Sequence, residues 1–260
     1  MGILEITNME QLHEFLLRDR VSAAYQLGDL DPRYSEYCRW WGDFSDTGDL
    51  EAVLLLYTGL RTPAVLTLGS ANRVEELLAA TRHELPTRFY GHMTSEHLAS
   101  LKSTYVAEAL VPMIRMGLNR EHFVRPDDDL SQVMSLSHSD TADIIDLYQY
   151  YPDNFFEPYQ LETGHYYGIR DGGQLVSIAG IHVVSEANDI AAIGNIVTHP
   201  DHRSKGYSRR CTAYLLDKLF GIVSLTALNV QRENGAAYKV YKCLGFVEHM
   251  EYLEGFVERD

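Results

Sequence analysis

The chain lacks the features of a disulfide scaffold, a membrane-spanning protein and a nucleic-acid binder. It has only three cysteines among 260 residues, Cys38, Cys211 and Cys243. Their odd number and wide spacing argue against a disulfide framework and a cysteine-based metal site. No uninterrupted apolar run is long enough to cross a bilayer. With 22 basic against 37 acidic residues, the formal net charge of −15 disfavours non-specific nucleic-acid binding.

Recognisable metal and nucleotide motifs are also missing. The 11 histidines are scattered and form no His-Glu-x-x-His pattern, so we expect no metal. Neither Gly-x-x-x-x-Gly-Lys-Ser/Thr nor Gly-x-Gly-x-x-Gly occurs, which argues against the common nucleotide-binding loops. Residues 1–5 have neither a basic region nor an apolar signal segment. We therefore expect a cytoplasmic protein with no membrane or nucleic-acid partner.

Composition and one linker-like stretch indicate two domains. The chain is 45% hydrophobic and 23% charged, as globular proteins are, with enough residues for one large or two modest domains. Residues 125–129 read Arg-Pro-Asp-Asp-Asp, a composition typical of an exposed linker. We therefore predict an N-terminal α/β domain over 1–125 and a second domain over 131–260.

A basic cluster stands out in this acidic chain. Residues 203–210 include Arg203, Lys205, Arg209 and Arg210 and no acid. They follow a strand-like run over 190–197 and open an amphipathic helix. The free N–H groups and the dipole of a helix N-terminus favour anions. Charge alone leaves two interpretations open, a phosphorylated ligand and a basic helix start on a solvated surface.

The residues of this loop favour a ligand. Arg203-x-x-Gly206-x-Ser208 resembles the acyl-CoA pyrophosphate loop of the GNAT N-acetyltransferases, whose pattern is Arg or Gln, two residues, Gly, one residue, then Gly or Ala. The glycine lets the backbone approach the pyrophosphate closely. Ser208 departs from the pattern but is small, and its hydroxyl could donate to phosphate.

A second motif lies at the expected distance. Asn234-x-x-Ala237-x-x-x-Tyr241-x-x-x-Gly245-Phe246 is similar to the second GNAT signature, carried by a helix that flanks the pantetheine arm. Ala237 and Tyr241 are four positions apart and share one helix face. Gly245 is predicted to cap the helix C-terminus. An amphipathic helix with a glycine stop would explain this segment alone, but the two motifs in order identify the C-terminal half as resembling the GNAT superfamily.

The resemblance implies an α/β (α+β) GNAT fold, with a mixed, mostly antiparallel twisted sheet flanked by helices. We predict a weak first strand over 131–136, a helix capped by Ser139, and a helix over 207–220. The remaining strands are predicted over 166–170, 175–184, 190–198 and 223–230, followed by a closing hairpin of 246–252 and 253–257.

The N-terminal half has no pyrophosphate loop, but its order of elements is suggestive. Thr7-x-x-Glu10 is a capping box before a helix, and Ser70 and Thr94 are predicted helix caps. Strands are predicted over 51–57, 64–68, 87–90 and 107–116. This order would make the N-terminal half a degenerate GNAT-like repeat in a tandem arrangement. An unrelated α/β cap remains the alternative.

The resemblance implies an enzyme, an acyltransferase that transfers an acetyl (acyl) group from acetyl-CoA to a primary amine by direct attack on the thioester. It implies no metal. The cofactor-binding residues that it implies lie on the fourth strand of the domain, in the loop and beside the pantetheine arm: Asn195, Ile196, Val197, Thr198, Arg203, Ser204, Lys205, Gly206, Tyr207, Ser208, Asn234 and Tyr241.

Tyr241 is the candidate catalytic residue. A phenol near the departing sulfur could act as general acid or hydrogen-bond the thiolate; packing against the sheet is the alternative. The general base has no candidate from the motif. Some family members use a Glu on the fourth strand, where this chain has Ala192, Ile193 and Gly194. Four residues close in sequence cannot be placed from sequence: His182, Glu186, Asp189 and His199.

The missing base motivates an alternative function, a catalytically weak CoA-ligand-binding regulatory or scaffolding protein. The acceptor, a small-molecule or peptide amine, is not readable from the sequence. Trp40 and Trp41 are expected in the core or an interface, with a binding cleft as the alternative. Edge strands and the predicted closing hairpin would also permit a homodimer.

Overall fold

The computed structural model describes residues 2–101, 105–152 and 156–259. The chain forms two compact units. The first comprises Met1–Arg115, Gln231–Glu233 and His249–Asp260, and the second comprises Met116–Val230 and Asn234–Glu248. The C-terminal residues return to the first unit, whereas the sequence-based division follows the chain.

The first unit starts with a short strand and three helices, continues through three antiparallel strands, and then alternates helix and strand. Its elements are β1 (Ile3–Glu5), α1 (Met9–Leu17), α2 (Ala24–Asp29), α3 (Pro32–Ser35), β2 (Cys38–Phe44), β3 (Leu50–Tyr57), β4 (Ala64–Gly69), α4 (Ala71–Thr81), β5 (Arg88–Met93), α5 (Ser95–Ala99) and β6 (Tyr105–Asn119), which extends into the second unit. Strands β2, β3 and β4 pair antiparallel, and β4 pairs parallel with β5.

The second unit repeats this order. It contains β7 (Met134–Ser135), α6 (Thr141–Tyr148), a 3₁₀ segment (Pro158–Thr163), β8 (Tyr167–Asp171), β9 (Gln174–Ser185), β10 (Ile190–Thr198), α7 (Tyr207–Leu219), β11 (Leu225–Gln231), α8 (Gly235–Cys243) and the start of β12 (Val247–Arg259). Strands β8, β9 and β10 pair antiparallel, and β10 pairs parallel with β11. The predicted mixed, mostly antiparallel sheet flanked by helices is confirmed.

Several local predictions were wrong. The residues predicted as a closing hairpin form one strand, β12, because Leu253 through Glu258 continue in antiparallel pairing with β5. The first strand of the second unit has only two residues. Helix α1 is capped by Asn8, whose side chain accepts from the N–H groups of Glu10 and Gln11, in place of the Thr7 capping box.

Each unit has its own set of buried hydrophobic residues. In the first, Phe89, Leu77 and Val74 are fully buried between α4 and the sheet, and Trp40 and Trp41 are both buried, as their core interpretation predicted. Cys243 is exposed and Cys211 is buried. Of the helices in the described residues, none is long and apolar enough to span a membrane.

Candidate active site

The parallel strands β10 and β11 open away from each other near the middle of β10. Among the described residues their pairing runs from Ile190↔Leu225 to Ile193↔Leu228, although β10 continues to Thr198. Just beyond, the register of β10 against β9 shifts between Gly194 and Val197, so β10 carries a bulge there. A gap between the two strands therefore begins after Ile193.

Asn195 forms the bulge. Its backbone φ is +53°, a conformation that asparagine tolerates better than most residues. Its buried side-chain amide donates to Gln160 Oε1 at 3.1 Å and to Tyr166 Oη at 2.7 Å, while Tyr148 Oη donates to its carbonyl at 2.9 Å. These bonds fix the bulge and leave the Asn195 side chain with a structural role.

The other β10 residues of the predicted site differ in where their backbone groups point. Ser177 Oγ of β9 donates to the carbonyl of Val197 at 3.1 Å, so the Val197 backbone faces β9. Tyr151 Oη donates to the carbonyl of Thr198. Because backbone groups alternate along a strand, the N–H and C=O of Ile196 face away from β9, towards the gap.

The loop after β10 is shaped to receive an anion. Ser204 and Gly206 both have left-handed backbones, with φ of +63° and +76°. Helix α7 begins at Tyr207, and in the described structure no side chain caps its N-terminus. A Cβ at Gly206 would have no heavy atom within 4 Å, so the space over the turn is open. Alternating turn conformations before an uncapped helix present N–H groups to an anion.

Acidic residues from elsewhere in the chain partly compensate the basic cluster. Arg209 Nε lies 2.8 Å from Asp128 Oδ2, and Asp128 belongs to the stretch predicted as a linker. Asp171 accepts a hydrogen bond from Tyr207 Oη at 3.1 Å and lies 3.6 Å from Lys205 Nζ. The hydrogen bond from Tyr207, with Lys205 and His202 nearby, lowers the pKa of Asp171.

Two arginines of the cluster hydrogen-bond uncharged groups. Arg203 donates to Tyr151 Oη at 3.0 Å, and Arg210 donates to Gln132 Oε1 at 3.3 Å and to the carbonyl of Lys205 at 2.8 Å. Neither contact neutralises a guanidinium. Arg210 also lies close enough to Asp129 to help lower the pKa of that carboxyl, whereas Arg203 has no ion pair among the described residues.

The second signature folds as predicted. Asn234 caps α8, its Oδ1 accepting from the N–H of Ala237 at 3.1 Å. Tyr241 is buried, and burial raises its pKa, so the phenol stays protonated at neutral pH. Its ring meets that of Phe246 with centroids 5.9 Å apart. Gly245, with φ of +102°, ends the helix and confirms the predicted cap.

His182 lies near the β10 bulge, a position that the sequence alone did not predict for it. Gly194 of β10 pairs with Gly180 of β9. A Cβ at Gly180 would overlap the ring of Tyr166, and a Cβ at Gly194 would overlap the imidazole of His182. The two facing glycines leave room for the rings of Tyr166 and His182 to pack against the strands. A glycine on each of two paired strands is the sequence signal that could have predicted where these rings lie.

The corresponding place in the first unit is built differently. At the end of β4, the chain reads Leu-Gly-Ser-Ala-Asn-Arg over 68–73 and enters α4 without a basic loop. The buried His97 lies with Nδ1 2.9 Å from Thr67 Oγ1 and Nε2 3.2 Å from the carbonyl of Gly69. It therefore occupies the end of β4. Within the described residues, no group of three or more His, Cys, Asp or Glu side chains could hold a metal.

Splayed parallel strands, a bulge and a left-handed loop that enters a helix are the features by which this site can be compared with known proteins. Residues 130–246 match the family model described as Acetyltransferase (GNAT) family. The C-terminal part of the chain is therefore similar to the GNAT acetyltransferases.

Similar proteins agree with this assignment. The N-alpha-acetyltransferase RimI of Mycobacterium tuberculosis is 34% identical over 83 residues, which are 32% of this chain and 51% of that protein, so the match spans about half the relative's length. A Drosophila protein of known structure aligns over 99% of this chain and 98% of its own, with a TM-score of 0.74 at 11% identity.

Two further solved structures share the fold. A GCN5-related N-acetyltransferase from Kribbella flavida has a TM-score of 0.63 at 16% identity, covering 92% of this chain and 94% of its own. A tandem GNAT protein from the clavulanic acid biosynthesis pathway has a TM-score of 0.59 at 12% identity, covering 99% and 98%. The fold of the whole chain, including the N-terminal unit, is thus that of GNAT structures.

Proposed function

We propose that this protein is an N-acetyltransferase that transfers an acetyl (acyl) group from acetyl-CoA to a primary amine. The observation that carries the proposal is the continuity of the site. Strand β10 leaves its parallel partner after Ile193, bulges at Asn195 and leads directly into the loop of Ser204 and Gly206. Such an arrangement offers a strand edge for amide groups and a turn for phosphates on one ligand.

The described residues suit the parts of the acyl donor. The N–H groups around Gly206 and the charges of Arg203 and Arg210 would hold the pyrophosphate. The exposed strand edge at Ile196 would pair with the pantetheine amides. Asn234 and Tyr241 would lie beside the arm, as the family resemblance implies. Asn195, Val197 and Thr198 would contribute through backbone position, since their own contacts tie them to neighbouring elements.

When bound, acetyl-CoA would supply the acetyl group as a thioester. The amine nitrogen attacks the carbonyl carbon, a C–N bond forms and the C–S bond breaks. Tyr241 is suited to donate a proton to the departing sulfur, because its buried phenol stays protonated. This assignment of Tyr241 rests on its place in the second signature.

The acceptor is proposed only by class, a small-molecule or peptide amine. The net charge of −15 favours a cationic acceptor by long-range attraction. The Mycobacterium relative is named an N-alpha-acetyltransferase, which makes a peptide α-amine one class to test. A cytoplasmic location and a homodimer remain proposals.

The first test is calorimetric titration with acetyl-CoA, comparing wild type with Arg203→Glu. We expect saturable binding that the substitution weakens about 10- to 100-fold, because a charge-assisted phosphate contact is replaced by repulsion. Arg61→Glu is the charge-matched control, since Arg61 is exposed in the first unit; it should bind like wild type. No binding by folded wild type would overturn the proposal.

The second step measures CoA thiol release with a panel of amines. Turnover with any primary amine supports the enzyme. Binding without turnover across small amines and peptides would instead favour the alternative function, a CoA-ligand-binding regulatory or scaffolding protein.

A further inference from the structure

Strands β9 and β10 together carry a single titratable side chain. Strand β10 reads Ile-Ala-Ala-Ile-Gly-Asn-Ile-Val-Thr over 190–198, and β9 contains only His182 as an ionisable residue over 174–185. Both strands lie wholly within the described residues. Any base supplied by the pair of strands at the site must therefore be His182.

His182 occupies an irregular position on β9. The register passes from Val183↔Ala192 to Ile181↔Ile193, so His182 is the extra residue of a β-bulge. A bulge re-aims the side chain that it carries and is common beside active sites. This bulge lies opposite Ala192 and Ile193, and the β10 bulge at Asn195 begins just after the next residue, Gly194, so the two distortions are close together along the strands.

The imidazole stands where a β10 side chain would stand. A Cβ added to Gly194 would overlap His182 Nε2 and Cδ2 and would lie 2.9 Å from Cε1. Gly194 thus provides the space and His182 fills it. The residue immediately before the bulge of the acyl-donor strand lacks a side chain of its own, yet a ring nitrogen from the neighbouring strand takes that place.

The ring has the properties that proton acceptance requires. His182 is only partly buried, so a proton taken from a substrate can pass on to solvent. Imidazole is the side-chain group that most often accepts and releases protons in catalysis. An amine enters as an ammonium and must lose a proton before its lone pair can attack.

We propose that His182 is the general base, an inference that rests on the proposed acetyltransferase function. The Nε2 lone pair of neutral His182 accepts one proton from the acceptor ammonium. The resulting amine attacks the thioester carbonyl, the C–N bond forms and the C–S bond breaks. The attacking nitrogen then loses a second proton as the departing sulfur gains one. The products are the amide, the CoA thiol and imidazolium, which returns its proton to water.

The test compares His182→Ala and His182→Gln with wild type, using acetyl-CoA and an amine found active with wild type. We expect kcat to fall about 100- to 1000-fold in both variants, the usual contribution of a general base. The Kd for acetyl-CoA, measured by calorimetry, should stay within about twofold, because no predicted donor contact is removed. His138→Ala, which removes an exposed imidazole of the same unit, should keep the wild-type rate.

Added imidazole separates catalysis from structure. It should restore part of the activity of His182→Ala and none of the activity of His182→Gln, whose side chain still fills the space. A loss of kcat without rescue, or a kcat within about threefold of wild type, would overturn His182 as base. Failure of wild type to bind acetyl-CoA would overturn the proposed function itself, and this inference with it.

Gly194→Ala gives an independent check that does not remove the histidine. The added methyl group must push the imidazole away, so we expect a loss of kcat comparable with that of His182→Ala. In the His182→Ala background the same glycine substitution should cost less than about threefold, because the ring is already absent. Fully additive losses would show that Gly194 acts independently of His182 and would contradict the proposal.

Discussion

The backbone N–H of Phe246 donates to the carbonyl of Tyr241 at 3.1 Å, and this hydrogen bond closes the last turn of α8. Beside it, the N–H of Gly245 donates to the carbonyl of Lys242, also at 3.1 Å. The two bonds form a Schellman motif, which requires a left-handed residue after the cap. The position of the Tyr241 ring, packed on Phe246, is thus set by the helix end.

Gly245→Ala should therefore destabilise the second unit. Alanine at this position would have to adopt a φ of +102°, and its Cβ would overlap the carbonyl oxygen of His122. We expect a loss of about 2–4 kcal/mol in the free energy of unfolding, from backbone strain and overpacking together. Chemical denaturation measures it. Gly235→Ala is the control, since a Cβ there has no heavy atom within 4 Å, and it should be neutral or slightly stabilising.

Removing the Tyr241 hydroxyl should affect turnover more than binding. Tyr241→Phe keeps the ring packing but removes the proposed proton donor, so we expect kcat to fall about 10- to 100-fold, towards the lower range for acid catalysis. The Kd for acetyl-CoA should change less than about threefold. Tyr238→Phe, on the same helix, removes an exposed hydroxyl that donates to Glu248 and should leave kcat unchanged. If Tyr241→Phe and Tyr238→Phe have the same kcat, Tyr241 has only a packing role.

Short-range patterns predicted the strand, loop and helix ends that carry the proposed donor site. Strand β10 spans Ile190–Thr198, α7 starts at Tyr207 and Gly245 ends α8, all as expected from the sequence. These features depend on residues within one element and its flanks: a β-branched run, a glycine turn and a helix stop. Local physics is therefore enough to find the loop and the second signature.

Pairings between distant segments could not be predicted in this way. Asp171 and Asp128 reach the basic loop only through the fold, and His182 meets Gly194 through strand register. The last strand was mistaken for a hairpin because its partner, β5, lies far away in sequence. Tertiary contacts determine which charges, rings and strands meet, and a single sequence shows no periodic pattern for such contacts.

The two left-handed residues of the loop should respond oppositely to substitution. Ser204→Gly removes the strain of a non-glycine residue at φ of +63° and should stabilise the unit by up to about 1 kcal/mol. Gly206→Ala introduces such strain at +76° and should cost about 1–2 kcal/mol. Thermal unfolding measures both. Only Gly206→Ala places a methyl group over the proposed phosphate-binding turn, so it alone should weaken acetyl-CoA binding. If Ser204→Gly also binds acetyl-CoA more weakly, the serine hydroxyl takes part in binding.

A buried carboxylate in the first unit should make stability fall in acid. Glu254 accepts from Tyr252 Oη at 2.6 Å and lies 3.0 Å from His92 Nδ1. Burial alone would raise the pKa of Glu254, but the nearby His92, together with the hydrogen bond from Tyr252, lowers it to about 2. A carboxyl whose folded pKa lies below its unfolded value of about 4.3 stabilises the fold above that pH. This stabilisation is lost as the pH falls from about 5 towards 2.

Glu254→Gln should therefore cost about 2–4 kcal/mol at pH 7, because it leaves the nearby buried Arg115 guanidinium without this counter-charge. The difference from wild type should shrink by about 2 kcal/mol between pH 7 and pH 3, because the carboxyl of the unfolded wild type takes up a proton in this range while the folded one stays mostly ionised. Denaturant unfolding at both pH values gives the two differences. Glu258→Gln, an exposed site on the same strand 3.8 Å from Arg88, should differ little from wild type at either pH. If the loss in free energy of unfolding caused by Glu254→Gln stays constant with pH, the loss comes from packing and not from the ionised carboxylate.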